Sequence, residues 1–155
     1  MQTTVTVGFK TFEDLEVYQL AREFRKVMYG VGRRLPHFEK FELARQIRSA
    51  AVSLTNNIAE GHGRYHYLDQ LKFLLQARGS LEELIDDLNV CLDEEYLPSD
   101  ECAQLKQMGW RVHSVINGYG RYLRQRKADE SGVLHEAAQD YRTDGDVDPF
   151  ADLPL

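Results

Sequence analysis

An all-α fold, specifically an up-down-up-down antiparallel four-helix bundle with a C-terminal acidic tail, is what this chain of 155 residues predicts. Apolar residues recur at steps of three and four along four long segments, the spacing that gathers them on one helical face. No segment keeps the period of two that a half-buried strand needs. The connections are short, roughly 2–6 residues, so sequential helices of about 20–28 residues must lie antiparallel.

The first helix is predicted over residues 11–31. Thr11 is the expected N-cap, followed by Glu13, Asp14 and Glu16, acids that the positive end of a helix dipole favours. Its inward set is Phe12, Leu15, Tyr18, Ala21, Phe24, Met28 and Val31, with Gly30, Gly32 and Pro36 marking the exit. Val17, Leu20 and Val27 add apolar surface beyond one seam. The second helix spans 37–60, with Leu43, Ile47, Ala50, Ala51, Leu54 and Ile58 inward and Gly61 and Gly63 stopping it. Small residues at Ala44, Ser49, Ala50, Ala51 and Ser53 predict a closely approaching neighbour.

The third helix, over 67–94, shows the cleanest repeat: Leu71, Leu74, Arg78, Leu81, Ile85, Leu88 and Leu92, a coiled-coil-like seam with one Arg in it. After Leu97-Pro98, Ser99 is a good N-cap, with Asp100 and Glu101 behind it. The fourth helix takes Leu105, Met108, Val112, Val115, Tyr119 and Tyr122 as its seam, weakened by Gly109, Gly118 and Gly120. The pattern fades after 127. The predicted divisions are an extension over 1–10, the bundle over 11–127, and an acidic tail over 128–155 that is disordered or a docking peptide.

Charge is distributed unevenly. The net charge is −6, yet residues 102–127 carry 6 Lys/Arg and no Asp/Glu, whereas 128–155 carry 1 against 8. A basic strip beside an acidic appendage leaves nucleic acid open as a partner despite a pI of 5.4. The tail is expected to fold back over residues 121–127 and compete with phosphates, or else to dock another protein through its Pro-containing end. No apolar run approaches the ~20 residues of a membrane span, and residues 1–10 lack a signal-peptide core. The expected location is cytoplasmic, with no membrane partner.

Enzyme chemistry finds little support. No Glu-x-x-His pair is present for a di-iron bundle. Cys91 and Cys102 have no CxxC spacing, and His62 and His66 lack a carboxylate at matching spacing. None of the five histidines follows an Arg at the spacing seen in small α-helical RNases. No catalytic residue, cofactor or metal site is predicted.

Two constellations remain. The strip Arg111, Arg121, Arg124, Arg126 and Lys127 is interleaved with Trp110, Tyr119 and Tyr122; cations neutralise phosphates and aromatic faces stack on unpaired bases. The same tyrosines also fit a core seam, with the cations a solvated helix end. The second constellation is Asn57, Glu60 and Arg64, together with Arg78 and Glu82. Folding the hairpin at Gly63 places Arg78 near Arg48 and Asn57 near Asp69, with Glu23 or Glu82 available to neutralise Arg78. This set is either a polar network that fixes register and subunit packing or a ligand or nucleic-acid contact. Removing Arg78 from an interior pair would cost about 3–5 kcal/mol.

At these residues the chain resembles a known family. Phe12-Glu-Asp-Leu-Glu-Val-Tyr18, Gln46-Ile-Arg-Ser-Ala-Ala-Val-Ser-Leu54, Asn57-Ile-Ala-Glu-Gly-His-Gly-Arg64 and Phe73-Leu-Leu-Gln-Ala-Arg-Gly-Ser-Leu-Glu-Glu-Leu84 are similar to blocks of the bacterial four-helix bundle proteins called S23 proteins. That family was first associated with intervening sequences in 23S ribosomal RNA genes. The resemblance covers roughly residues 9–126. It implies a non-enzymatic homo-oligomer, a pentamer, and is shared with the accessory protein of diversity-generating retroelements. That cousin binds nucleic acid and a reverse transcriptase. Thr55-Asn56 stands where the family usually has Pro-Ala, which implies a less kinked helix here.

Three functions follow as expectations. The first is an oligomeric adaptor associated with RNA or single-stranded nucleic acid, with a reverse transcriptase or another protein as a further partner. The second is a structural scaffold without nucleic-acid binding, in which Asp86, Asp87, Asp93, Glu94 and Glu95 meet basic helix ends of other subunits. The third is a small-molecule-binding bundle around Asn57, Glu60 and Arg78.

Overall fold

A computed structural model describes residues 11–130. The extension over 1–10 and the tail beyond 130, including its expected fold-back, lie outside the described residues. Four helices make up the fold: α1 (Glu16–Arg34), α2 (Leu43–His62), α3 (Tyr67–Asp93) and α4 (Ser99–Glu130). Each packs on the next, and α4 closes the ring against α1. No helix among the described residues is long and apolar enough to cross a membrane.

Cross-helix contacts define the relative directions. Gly32 near the end of α1 lies against the Ala44 carbonyl at the start of α2, and Arg25 reaches Thr55 farther along α2. Arg34 at the end of α1 pairs with Glu101 at the start of α4. Lys106 early in α4 meets Asn89 late in α3, whereas Arg126 late in α4 lies over Tyr67 at the start of α3. Neighbours therefore run antiparallel. The start of α1, the α2–α3 connection and the last turns of α4 consequently share one end of the bundle.

Thr11 caps a 3-10 turn over Phe12–Asp14 rather than α1 itself: its side chain accepts from the Glu13 amide, and Asp14 reaches back to the Thr11 amide in a capping box. This turn sets Phe12 apart from the helix proper. Val17, expected outside, is buried with Ala21, Phe24, Met28 and Val31, while Phe12 packs edge-on to Tyr18 outside the buried set. Val17 therefore belongs to this chain's own core and adds no apolar surface beyond the seam. Helix α1 also runs past Gly30 and Gly32 to Arg34, ending before Leu35-Pro36, where proline disfavours the α conformation of its predecessor.

Residues 37–39 form a separate 3-10 turn after Pro36, so α2 begins at Leu43 rather than at residue 37. All six of its expected inward residues are buried. The helix is continuous through Thr55, whose hydroxyl is buried, accepts from Arg25 at 2.8 Å and lies 3.3 Å from the Val52 carbonyl. Gly61 does not stop α2. An added Cβ there would lie 3.0 Å from Phe73 Cβ and 3.2 Å from the Gln70 carbonyl, so Gly61 allows the close approach of α3.

In α3 the seam holds as far as Leu88, but Leu92 is exposed and Cys91 buried. The helix ends with Tyr96 N–H donating to Cys91 O at 2.8 Å and Glu95 N–H to Leu92 O at 3.1 Å. Glu95 adopts φ 58°, the left-handed position of a Schellman motif that usually takes glycine. Asp87, expected to meet basic helix ends of other subunits, lies inside instead: it is 5% exposed, and its Oδ2 has no hydrogen-bond partner among the described residues. Burial, then Glu83 and Asp86, push its carboxyl up to about 7. Burial likewise pushes the Cys91 thiol up to about 12, which keeps it protonated and inert.

Helix α4 shows the largest departure. Its buried stripe is Cys102, Gly109, Val112, Ile116, Gly120 and Leu123, rotated by about 100°, one residue, from most of the expected seam. Leu105, Met108, Val115 and Tyr119 flank it as partly buried neighbours. Gly109, read as a weak point, sits where α4 crosses Phe24 and Ile85.

Candidate nucleic-acid interface

Individual sites follow from this register. The five cations of the expected basic strip do not share a face. At about 100° per residue, Arg111 and Arg121 diverge by about 80°, and Arg126 lies about 140° from Arg121. Arg111 and Arg121 are exposed, and Arg124 is half-buried. Only Arg126 and Lys127 join a larger feature.

That feature is a cleft of about 860 Å³ at the end of the bundle shared by the α2–α3 connection and the end of α4. Leu15 and Leu123 contribute apolar floor, and His66, Tyr67, Lys72 and Tyr122 are among its walls. Local chemistry holds the walls in place. Arg64 bonds Glu60 at 2.6 Å and lies 4.7 Å over the Phe73 ring. Gln70 Nε2 donates to the Arg64 carbonyl at 2.6 Å. With the connection fastened on both sides, Tyr65 projects outward, 91% exposed.

On the opposite wall Tyr119 and Tyr122 stack, with centroids 6.2 Å and planes 22° apart. Tyr119 packs against the core, and burial, followed by the neighbouring Tyr122, raises its phenol against the opposing pull of Arg126. Tyr122 is 53% exposed. The Arg126 guanidinium lies 5.8 Å over Tyr122 and 5.9 Å over Tyr67, a cation placed between rings from two helices. Trp110 belongs elsewhere, edge-on to His113 at 5.2 Å.

Sequence reasoning missed Tyr65, His66, Tyr67 and Lys72 as site residues. A signal was present: two tyrosines flank His66 directly after a helix stop, and antiparallel topology puts that connection beside the end of α4. His62 and His66 both line the cleft. Among the described residues no group of three His, Cys, Asp or Glu side chains is placed to hold a metal ion.

The second constellation separates into three parts. Asn57 donates back to Ser53 O at 2.8 Å and lies 3.0 Å from Ser53 Oγ, which in turn meets Ser80 of α3 at 2.9 Å. Glu60 and Arg64 form their own pair. Arg78 faces α4: its Nε–H donates to His113 Nε2 at 3.0 Å, with Glu82 Oε1 3.8 Å away. The expected neighbour Arg48 instead donates to the Lys40 carbonyl at 3.0 Å, and Glu23 pairs with Lys26.

The same His113 Nε2 lies 3.0 Å from Glu82 Oε1, so it accepts from Arg78 in one tautomer and donates to Glu82 in the other. The Asn117 amide lies 3.4 Å from Nδ1 while its Oδ1 has no partner. In the tautomer protonated at Nδ1, turning that amide so that its oxygen faces the ring satisfies both groups. The Arg78 side chain is 20% exposed but Glu82 is 51% exposed, so water can solvate the carboxylate when its partner is removed. Arg78→Ala is therefore expected to cost about 1–2 kcal/mol in urea unfolding, less than an interior pair would. A loss above 4 kcal/mol would contradict that solvated arrangement.

Fold and site together describe an all-helical bundle with an aromatic, cation-bearing cleft at one end. A family model described as "23S rRNA-intervening sequence protein" matches residues 13–118. The chain belongs to that family. The match stops before Tyr119, Tyr122 and Arg126, which make one wall of the cleft. No curated protein matches the chain.

Proposed function

We propose that this protein is a non-enzymatic, oligomeric adaptor that holds RNA, alone or together with a protein partner such as a reverse transcriptase. The observation that carries this reading is Arg126 lying over both Tyr122 and Tyr67 at a cleft also lined by Lys72 and Lys127. Cations beside aromatic faces suit a phosphate backbone with accessible bases. The family's association with ribosomal RNA intervening sequences points the same way.

Titrating RNA at increasing salt tests it. Affinity should fall linearly with salt on logarithmic axes. Arg126→Ala combined with Lys127→Ala should lower the slope by about 2, whereas Arg111→Ala, distant from the cleft, should leave it nearly unchanged. Absence of binding at low salt would favour the structural scaffold, which the exposed rings of Phe38 and Phe41 on the α1–α2 connection support. Light scattering reads the assembly directly. A pentamer is the expected particle, and a particle of 17.9 kDa would remove the oligomer.

A further inference from the structure

The cleft is not just a charged surface. Its most exposed rings come from two places more than fifty residues apart in sequence, Tyr65 on the α2–α3 connection and Tyr122 on α4. Both line the same concavity. Exposed rings gathered around one concavity keep apolar faces in water without packing partners, a clustering that marks a binding surface. The volume, about 860 Å³, falls in the range of roughly 300–1,000 Å³ that accommodates small organic groups. Among the described residues the lining carries three cations, Lys72, Arg126 and Lys127, and one carboxylate, Asp69.

From this placement we infer that the cleft is a base-stacking subsite for single-stranded RNA, with Tyr65 and Tyr122 presenting ring faces to unpaired bases and Lys72 meeting the backbone phosphates. The inference rests on the RNA-holding reading above and sharpens it. Helical RNA keeps its base faces covered by stacking, whereas a single strand exposes them to aromatic side chains. A concave, ring-lined end of a bundle therefore selects unpaired strands. Stacking tolerates any base, because every base has a π-face, so the subsite distinguishes strandedness rather than sequence. Tyr119 supports it from behind: half-buried against the core, it stacks on Tyr122 and restricts that ring.

Binding of a fluorescent oligoadenylate of roughly ten residues, single-stranded or annealed to oligouridylate, tests the inference on the full chain. Tyr65→Leu and Tyr122→Leu keep apolar bulk but remove the ring face. Each should weaken the single strand about tenfold, with duplex affinity and salt slope unchanged. Tyr65→Phe and Tyr122→Phe should bind as the parent does. Lys72→Ala should weaken both probes alike and lower the salt slope by about 1. The exposure of both tyrosines means the variants should keep the parent's helical circular dichroism, which is recorded alongside. Single-strand affinity that survives Tyr65→Leu together with Tyr122→Leu, in a parent that does bind RNA, would overturn the stacking subsite alone. A parent that binds neither probe at low salt would overturn the RNA-holding function and the subsite with it.

Discussion

Asp87→Asn is expected to make the protein more stable than the parent by about 1–3 kcal/mol at pH 8, with the advantage gone near pH 4. The cause is the position of Asp87 on the inner side of α3, where it is 5% exposed and one carboxylate oxygen has no partner. Burial, with Glu83 and Asp86 nearby, pushes its carboxyl from 3.8 to about 7. The folded state thus holds the proton more tightly than the unfolded chain, so protonation favours folding. Below pH 4 the group is protonated in both states and carries no ionic penalty. As pH rises from about 4 to about 7 the unfolded chain ionises while the folded one resists, and stability falls. Above pH 7 the loss is complete, on the order of 4 kcal/mol. Asparagine removes the titration but keeps a buried polar group, so it recovers only part of that loss. Urea unfolding of parent and variant across this range measures the difference. A gap that does not vary with pH would show that Asp87 ionises freely in the folded state.

Gly109→Val should destabilise the bundle by about 3 kcal/mol. Even a single Cβ at this position would lie 2.9 Å from Ile85 Cγ1 and 3.1 Å from Phe24 Cζ. Phe24 is fully buried and Ile85 nearly so, and neither contact is to a freely moving chain end, so the clash must be relieved by separating α4 from α1 and α3. Helix propensity works in the opposite direction, since replacing an interior glycine with alanine gains up to about 1 kcal/mol. Gly109→Ala should therefore lose less, and Ile85→Ala should offset part of that loss by removing the atom in conflict. A double-mutant cycle reads this coupling directly. Strict additivity of Gly109→Ala and Ile85→Ala would show that α4 has room at this crossing.

Both effects arise where periodicity is a weak guide. The expected α4 seam followed its large apolar residues, Leu105 through Tyr122. The buried stripe instead uses Cys102, Gly109 and Gly120, whose small side chains add little hydrophobic signal but allow neighbouring backbones to approach. Asp87 adjoins Asp86 in an acidic stretch, which suggests contacts with basic helix ends of other subunits. Its burial follows from the packing of α3 against its neighbours, which no local window contains. In α1 the capping box at Thr11 and Asp14 closes a separate turn, and the buried face of the helix proper begins at Val17, four residues before Ala21.

By itself the sequence determined that there are four helices, approximately where they turn, and nearly all of the inward faces of α2 and α3. Those features are repeated over many residues, so single exceptions such as Leu92 do not erase them. Short connections also bring the α2–α3 turn and the end of α4 to one end of the bundle. Only the tertiary structure decided that Tyr65, Tyr67 and Lys72 join Tyr122 and Arg126 around one cleft, and that Arg111 and Arg121 do not. The rotation of each helix about its axis sets that grouping, and a shift of one residue turns a side chain by about 100°. That rotation depends on which small residues allow close approach and which large ones fill the space between helices, a condition shared by all four segments.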